Sequence, residues 1–211
     1  MDTREQIEEK IRTGQPFRVV DDLSLYEEMM AAAEKCHAMN KLRPTQYDEK
    51  REALRDLLGS MGERMMVFLP FRVQYGTNIT VGDDVTFNHS VTILDMSPVT
   101  IGNNVMIGPN CSLFAGNHAL DPDERRNMFC TGGAVTIEQD VWIGGHCVVT
   151  AGVTIGHGAV IGAGSVVTKD VPPMVFAAGN PCRVVRGIGP ADRLLDEPYI
   201  PEPPMWADEH Q

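Results

Sequence analysis

No stretch of the 211-residue chain holds the roughly 20 consecutive apolar residues that a membrane span needs. The opening residues, Met1-Asp2-Thr3-Arg4-Glu5, lack the apolar region of a secretory signal. Positive charge is also short. The 18 Lys and Arg against 29 Asp and Glu leave a net charge of −11, which excludes a general binder of nucleic acid or anionic membrane, since such proteins need a basic face. The five cysteines (Cys36, Cys111, Cys130, Cys147 and Cys182) are scattered, without a CxxC pair. An odd number of unclustered cysteines excludes a disulfide framework and reads as reduced thiols in a cytoplasmic protein. What remains is an ordinary soluble composition, 43% apolar and 22% charged, enough for one continuous core with a small appendage. Most of the acid lies at the two ends, which leaves room for a local basic site in the middle.

Residues 1–62 read as helical. Asp21, Asp22 and Ser24 offer caps for a segment through Tyr26, Met29, Met30, Ala33 and Cys36, and a second helix starts near Thr45 and ends at Gly59 and Gly62. The Met29, Met30 and Leu57 stripe is expected to be packing surface.

A six-residue period governs residues 63–186. Apolar residues stand at 81, 87 and 93, slip by two to 101, 107 and 113, and resume at 137, 143, 149, 155, 161 and 167. The next residue is often glycine (Gly82, Gly102, Gly108, Gly144, Gly156, Gly162), and the position four beyond is small or β-branched, from Val85 to Val171. Six fits neither a 3.6-residue helix nor a hairpin meander. It fits short strands joined by tight corners, three to a coil, stacked as a prism in which Ile137 lies over Ile155. The glycines suit corners that need a positive φ or leave no room for a Cβ.

Between residues 115 and 134 the period vanishes, then returns. A loop of this length thrown from one corner of a rigid prism is a natural place for an active site. Residues 187–211 form an acidic, Pro-rich tail that reads as extended, with Trp206 as its candidate anchor.

The order of motifs is specific. Pro70-Phe71, Tyr75-Gly76-Thr77-Asn78-Ile79, Asn88, Ile93-Leu94-Asp95, Ile107-Gly108-Pro109-Asn110 and His118 are followed by Val141-Trp142-Ile143-Gly144-Gly145, Gly152-Val153-Thr154-Ile155-Gly156, Ile161-Gly162-Ala163-Gly164-Ser165-Val166-Val167-Thr168-Lys169-Asp170 and Ala178-Gly179-Asn180-Pro181-Cys182-Arg183-Val184. Together with Ile11-Arg12-Thr13-Gly14 they closely resemble the maltose, galactoside and nodulation-factor O-acetyltransferases, over roughly residues 5–187. The resemblance implies a mainly β fold, a left-handed parallel β-helix of hexapeptide repeats behind a small N-terminal helical domain. That hand runs against the usual right-handed crossover and is not given by the periodicity. It further implies a homotrimer with sites between adjacent prisms, acetyl-CoA as co-substrate and a saccharide-like hydroxyl as acceptor, with no metal required.

Acyl transfer from a thioester to a hydroxyl needs a base, a donor for the oxyanion and a groove that aligns both substrates. His118, in the loop Gly116-Asn117-His118-Ala119-Leu120-Asp121, is the candidate base, because imidazole titrates near neutrality. It matches the catalytic His of the family. Attack is expected to be direct, in a ternary complex, with no covalent role for any cysteine. Asn88 replaces the usual corner glycine where the family places an acceptor-contacting Asn; the alternative is an Asn tolerating left-handed backbone. Asp95 is a further acceptor-side candidate, beside Met96 where relatives carry a second acid.

For the cofactor, Trp142 is the candidate for packing on pantetheine, and Gly145 and Ala163 for backbone hydrogen bonds to it. Thr168, Lys169, Arg183 and Arg186 form a cationic group suited to phosphates. Two acceptor-side positions depart from the family. Arg18 follows Phe17 where sugar-acetylating relatives carry Asp, and Gln74 precedes Tyr75 where many carry Asp or Ser.

Three other readings compete: transfer to an amine or a non-sugar alcohol, a catalytically silent scaffold, and a metal enzyme like the β-helical carbonic anhydrases. The last needs three convergent histidines. His89, His118 and His146 lack the closely spaced pair that family uses.

Overall fold

The computed structural model describes residues 2–195, so Trp206 and the rest of the tail from residue 196 lie outside the described residues. Among the described residues, three α-helices precede the prism. α1 (Arg4–Thr13) is opened by a reciprocal Thr3/Gln6 capping box and closed by Gly14 at φ 69°. α2 (Leu23–Met39) starts at Asp22, whose carboxylate accepts the Ser24 amide at 2.9 Å. α3 (Tyr47–Leu57) stops before Gly59, because Ser60–Met61 already forms the first strand of the prism. Leu57 is buried, as the apolar stripe predicts, but Met29 is half-buried and Met30 exposed.

From Ser60 the chain winds through three parallel sheets in fixed rotation. The first face holds Ser60–Met61, Ile79–Val81, Val99–Ile101, Val135–Ile137 and Thr154–Ile155. The second begins with Met66–Val67, Thr86–Phe87 and Met106–Ile107 and continues through Trp142–Ile143, Val160–Ile161 and Val175–Ala178 to an antiparallel last strand, Arg183–Gly187. The third holds Phe71–Val73, Val91–Leu94, Ser112–Phe114, Val148–Val149 and Val166–Val167.

Register follows the six-residue period, with Ile137 opposite Ile155 and Ile143 opposite Ile161. The inward residues from Val81 to Val167 make one continuous core, which the buried Ala32, Cys36, Met39, Leu54 and Leu57 of α2 and α3 join. Each such aliphatic contributes about 1.5–3 kcal/mol on burial. Cys111 and Cys147 occupy inward corner positions, and their thiols donate to the carbonyls of Gly144 (3.1 Å) and Gly162 (3.2 Å).

Of the two reasons a corner can require glycine, crowding is the one that operates after the inward residue. A Cβ on Gly108 would lie 2.6 Å from the Gly145 nitrogen and 2.8 Å from the Gly144 carbonyl carbon, in the backbone of the coil above. The positive φ falls two residues later, on Asp84, Asn104, Asn110, Asp140 and His146, and on Gly158 and Gly164 in the last coils. Asn and Asp reach this region at the least cost among residues with a side chain.

Candidate active site

The interruption of the repeat is an ordered hairpin. Strand Gly116–His118 pairs antiparallel with strand Phe129–Gly132, which pairs in turn with Phe17–Arg18 from the N-terminal segment. Between the two hairpin strands α4 (Pro122–Arg126) is capped by Asp121, whose carboxylate accepts the Asp123 and Glu124 amides at 2.9 and 3.0 Å. This small sheet packs on α1 through a second core of Ile7, Phe17, Leu25, Tyr75 and Cys130. The hairpin is therefore held at both ends, and His118 stands on a fixed strand.

His118 is exposed and lines a pocket of about 320 Å³ with Met29, Ala33, Val73, Gln74, Leu94, Met96, Gly116 and Asn117. One wall is α2; the other is the corner where the third face turns back to the first. Five of these nine residues carry apolar side chains. Of this set the sequence marks only His118 and Gln74 as candidate site residues. The α2 wall was not legible, since Met29 and Ala33 read as ordinary helix packing.

Asp95 does not reach this space. It is 0% exposed, and one carboxylate oxygen accepts the amides of Gln74 (3.0 Å) and Tyr75 (2.9 Å). Its other oxygen has no partner among the described residues. Burial pushes its pKa up, against the pull of those backbone donors. Its work is to fix the corner behind the pocket, which corrects its reading as a residue that touches the acceptor. Arg18 is also turned away. Its Nε donates to the Asn127 carbonyl at 3.0 Å, its guanidinium lies 5.7 Å from the Phe129 ring centre, and it meets Asp21 at 3.5 Å.

Asn88 stands elsewhere. It follows strand Thr86–Phe87, at the corner where the second face turns into the third. It is not in the left-handed region; Ser90 is, at φ 63°. Its side-chain oxygen accepts the His89 amide at 2.8 Å. Gly145 and Ala163 follow at the same corner, two and three coils along, and Trp142 enters it from the second face with 51% of its surface exposed. The Gly145 carbonyl already accepts the Gly164 amide at 2.9 Å, whereas the Ala163 amide and carbonyl have no partner among the described residues.

The cationic group is dispersed. Arg183 and Arg186 lie on the last strand of the second face, and Arg186 is held by Asp192 at 2.7 Å. Thr168 and Lys169 lie at the third-to-first corner, the same edge as His118, and Lys169 forms no ion pair among the described residues. One chain thus carries two separate groups of candidate residues, with the third face between them. His118, Gln74, Thr168 and Lys169 line one edge; Asn88, Trp142, Gly145, Ala163 and Arg183 line the other.

Residues 10–62 match the maltose acetyltransferase hexapeptide capping motif, residues 134–169 the bacterial transferase hexapeptide (six repeats), and residues 98–116 the hexapeptide repeat of succinyl-transferase. The galactoside O-acetyltransferase of Escherichia coli K12 is 38% identical over 185 residues, covering 88% of this chain and 91% of that one. Among solved structures, a galactoside acetyltransferase in complex with coenzyme A superposes with a TM-score of 0.85 at 36% identity, over 93% of this chain and 98% of that one. A maltose O-acetyltransferase from Clostridium difficile 630 superposes at 0.82 and 38% identity, over 86% and 97%. The chain belongs to the maltose and galactoside O-acetyltransferases, a family of hexapeptide-repeat enzymes that use acetyl-CoA.

Proposed function

We propose that the protein transfers acetyl from acetyl-CoA to a hydroxyl of a saccharide-like acceptor by direct attack, with His118 as general base. The observation that carries this is the exposed imidazole on a braced hairpin strand, at the rim of the pocket between α2 and the third-to-first corner. The acceptor hydroxyl gives its proton to the imidazole as its oxygen attacks the thioester carbonyl, and CoA leaves as the thiol once the imidazolium returns a proton. A thiolate is a good leaving group, so the step asks most of the base and of alignment.

The split of the site across one face supports a homotrimer. A face is about six residues of extended chain, roughly 20 Å, too far for His118 to share a small ligand with Asn88 within one prism. A neighbouring prism laid against the third face brings its Asn88 edge to this chain's His118 edge. CoA then lies between two prisms, with its pantetheine on Trp142 and Ala163 of one and its phosphates near Lys169 of the other. Five buried free thiols fit a reducing cytoplasm.

A second reading, transfer to a non-sugar alcohol, is favoured by the apolar wall of Met29, Ala33, Leu94 and Met96 beside His118. Purified protein, acetyl-CoA and a thiol-detecting reagent, run against sugars, alkyl alcohols, amines and serine, decide between them. Thiol release with sugars supports the saccharide. Release with apolar alcohols alone replaces it, and release with amines alone removes hydroxyl transfer altogether. His118→Ala is expected to lose at least a hundredfold in kcat.

A further inference from the structure

His118 and Cys130 are opposed residues of the hairpin, and the histidine Nδ1 lies 3.3 Å from the cysteine sulfur. The thiol is 0% exposed, packed with Ile7, Phe17, Leu25 and Tyr75. Its sulfur in turn lies 3.7 Å from the Met128 carbonyl, to which the S–H donates. Met128 is held in the left-handed region at φ 61°.

A thiol has one proton. With that proton directed to the Met128 carbonyl, the sulfur lone pair faces Nδ1 and accepts its N–H. The chain of donors runs from imidazole to sulfur to carbonyl and ends inside the protein. No substrate reaches Nδ1, because the sulfur that faces it is fully buried, so Nε2 is the ring nitrogen left for the acceptor. We infer that Cys130 is a positioning residue for catalysis: its buried thiol holds neutral His118 in the Nδ1–H tautomer and orients Nε2 as the proton acceptor. This rests on the reading of His118 as the base.

The choice of a thiol has a chemical consequence. Burial pushes the Cys130 pKa up, so the group behind the imidazole is neutral, and His118 faces no fixed anion there. Of the charged side chains on the hairpin and the segments packed on it, Glu124 is exposed and without an ion pair among the described residues, and the others named here are engaged elsewhere. Arg125 donates to the Ala119 and Leu120 carbonyls, Arg126 pairs with Asp123, and Asp121 caps α4. Arg18 holds the Asn127 carbonyl and Asp21, and Arg12 pairs with Glu9. A carboxylate at position 130 would instead favour the imidazolium and lift its pKa.

The test compares wild type with Cys130→Ala, Cys130→Ser and Cys130→Asp in acetyl transfer across pH, with His118→Ala as the control and thermal melts to confirm folding. Cys130→Ala is expected to lower kcat/KM for the acceptor about tenfold with the KM for acetyl-CoA unchanged. Cys130→Ser, which keeps a donor–acceptor group, should recover most of it. Cys130→Asp should move the acid limb of the kcat/KM profile up by about one pH unit or more. A wild-type profile in Cys130→Ala, or a folded Cys130→Ser as poor as Cys130→Ala, overturns the proposal.

A second measurement does not depend on activity. Imidazole ¹⁵N resonances of His118, assigned with His118→Gln, should show the Nδ1–H tautomer at high pH; the Nε2–H tautomer would overturn the proposal even where Cys130→Asp does not fold. Full activity in His118→Ala would instead remove the base itself, a failure separable from that of Cys130.

Discussion

Asn88 and His118 stand at opposite edges of the same face of the prism, one where the chain enters that face and the other just beyond where it leaves. The strands between them, Phe71–Val73, Val91–Leu94 and Ser112–Phe114, are hydrogen-bonded in register and cannot fold the two edges together.

Complementation follows from that separation. Asn88→Ala and His118→Ala should each be inactive as pure assemblies. Mixed and reassembled, they should regain activity, because some interfaces pair an intact Asn88 edge with an intact His118 edge. Recovery of a quarter to a third of wild-type activity is expected, and no recovery in mixed assemblies verified by mass would argue for a site within one chain.

Asp95 sets a pH dependence of stability. Its folded pKa lies above the unfolded value because burial disfavours the carboxylate, so the native state keeps the proton to higher pH than the unfolded chain. Its contribution is fully present below the unfolded pKa and is lost as pH rises through the folded one. Asp95→Asn keeps an acceptor for the Gln74 and Tyr75 amides and should flatten this slope. Asp95→Ala strands both donors and should cost about 2–4 kcal/mol. Denaturant melts from pH 4 to 8 read both effects.

The two kinds of corner glycine should respond differently to alanine. At Gly108 the new Cβ meets backbone 2.6 Å away, and a loss of about 3 kcal/mol is expected as neighbouring coils are forced apart. At Gly164 there is open space but φ is +74°, and only the left-handed penalty applies, about 1 kcal/mol. Equal losses in thermal melts would contradict the assignment of crowding to the first class.

The cationic residues should separate by what already holds them. Lys169→Ala should raise the KM for acetyl-CoA several-fold with kcat little changed, and the effect should shrink in high salt. Arg186, already paired with Asp192, should matter less. A larger effect at Arg186 would mean that the ion pair opens to receive CoA.

Acceptor preference is open to a direct test at the pocket wall. Met96→Asp places an acid beside His118, and should lower the KM for polyhydroxylated sugars by roughly tenfold, the worth of one charge-assisted hydrogen bond. An unchanged acceptor profile would show that Met96 does not meet the acceptor.

Much of the fold was legible because a hexapeptide coil repeats its physics. Each inward Val or Ile is buried under the same constraint, and the signal adds along the chain. The corners were legible in place but not in cause: sequence shows that Gly108 is small, not that the Gly145 backbone lies over it. His118 stood out by occupying the one gap in the period. Asp95 was misread for a related reason. A carboxylate near a site suggests a ligand contact, and only three-dimensional placement reveals two backbone amides claiming it. Cys130 carried no signal at all, since its meaning comes from an antiparallel partner twelve residues away.

The hairpin leaves the prism after Phe114 and returns at Val135, yet the coils on either side bond directly to each other, Val99 to Val135 and Ser112 to Val148. The pairing of the coils therefore does not depend on what the tip of the excursion contains. Between His118 and Cys130 its length and side chains can drift, or be exchanged with a relative's, while the paired coils stay as they are. Acceptor chemistry becomes a graft on an indifferent stem, and new substrates are within reach of changes confined to about twenty residues and the helix opposite.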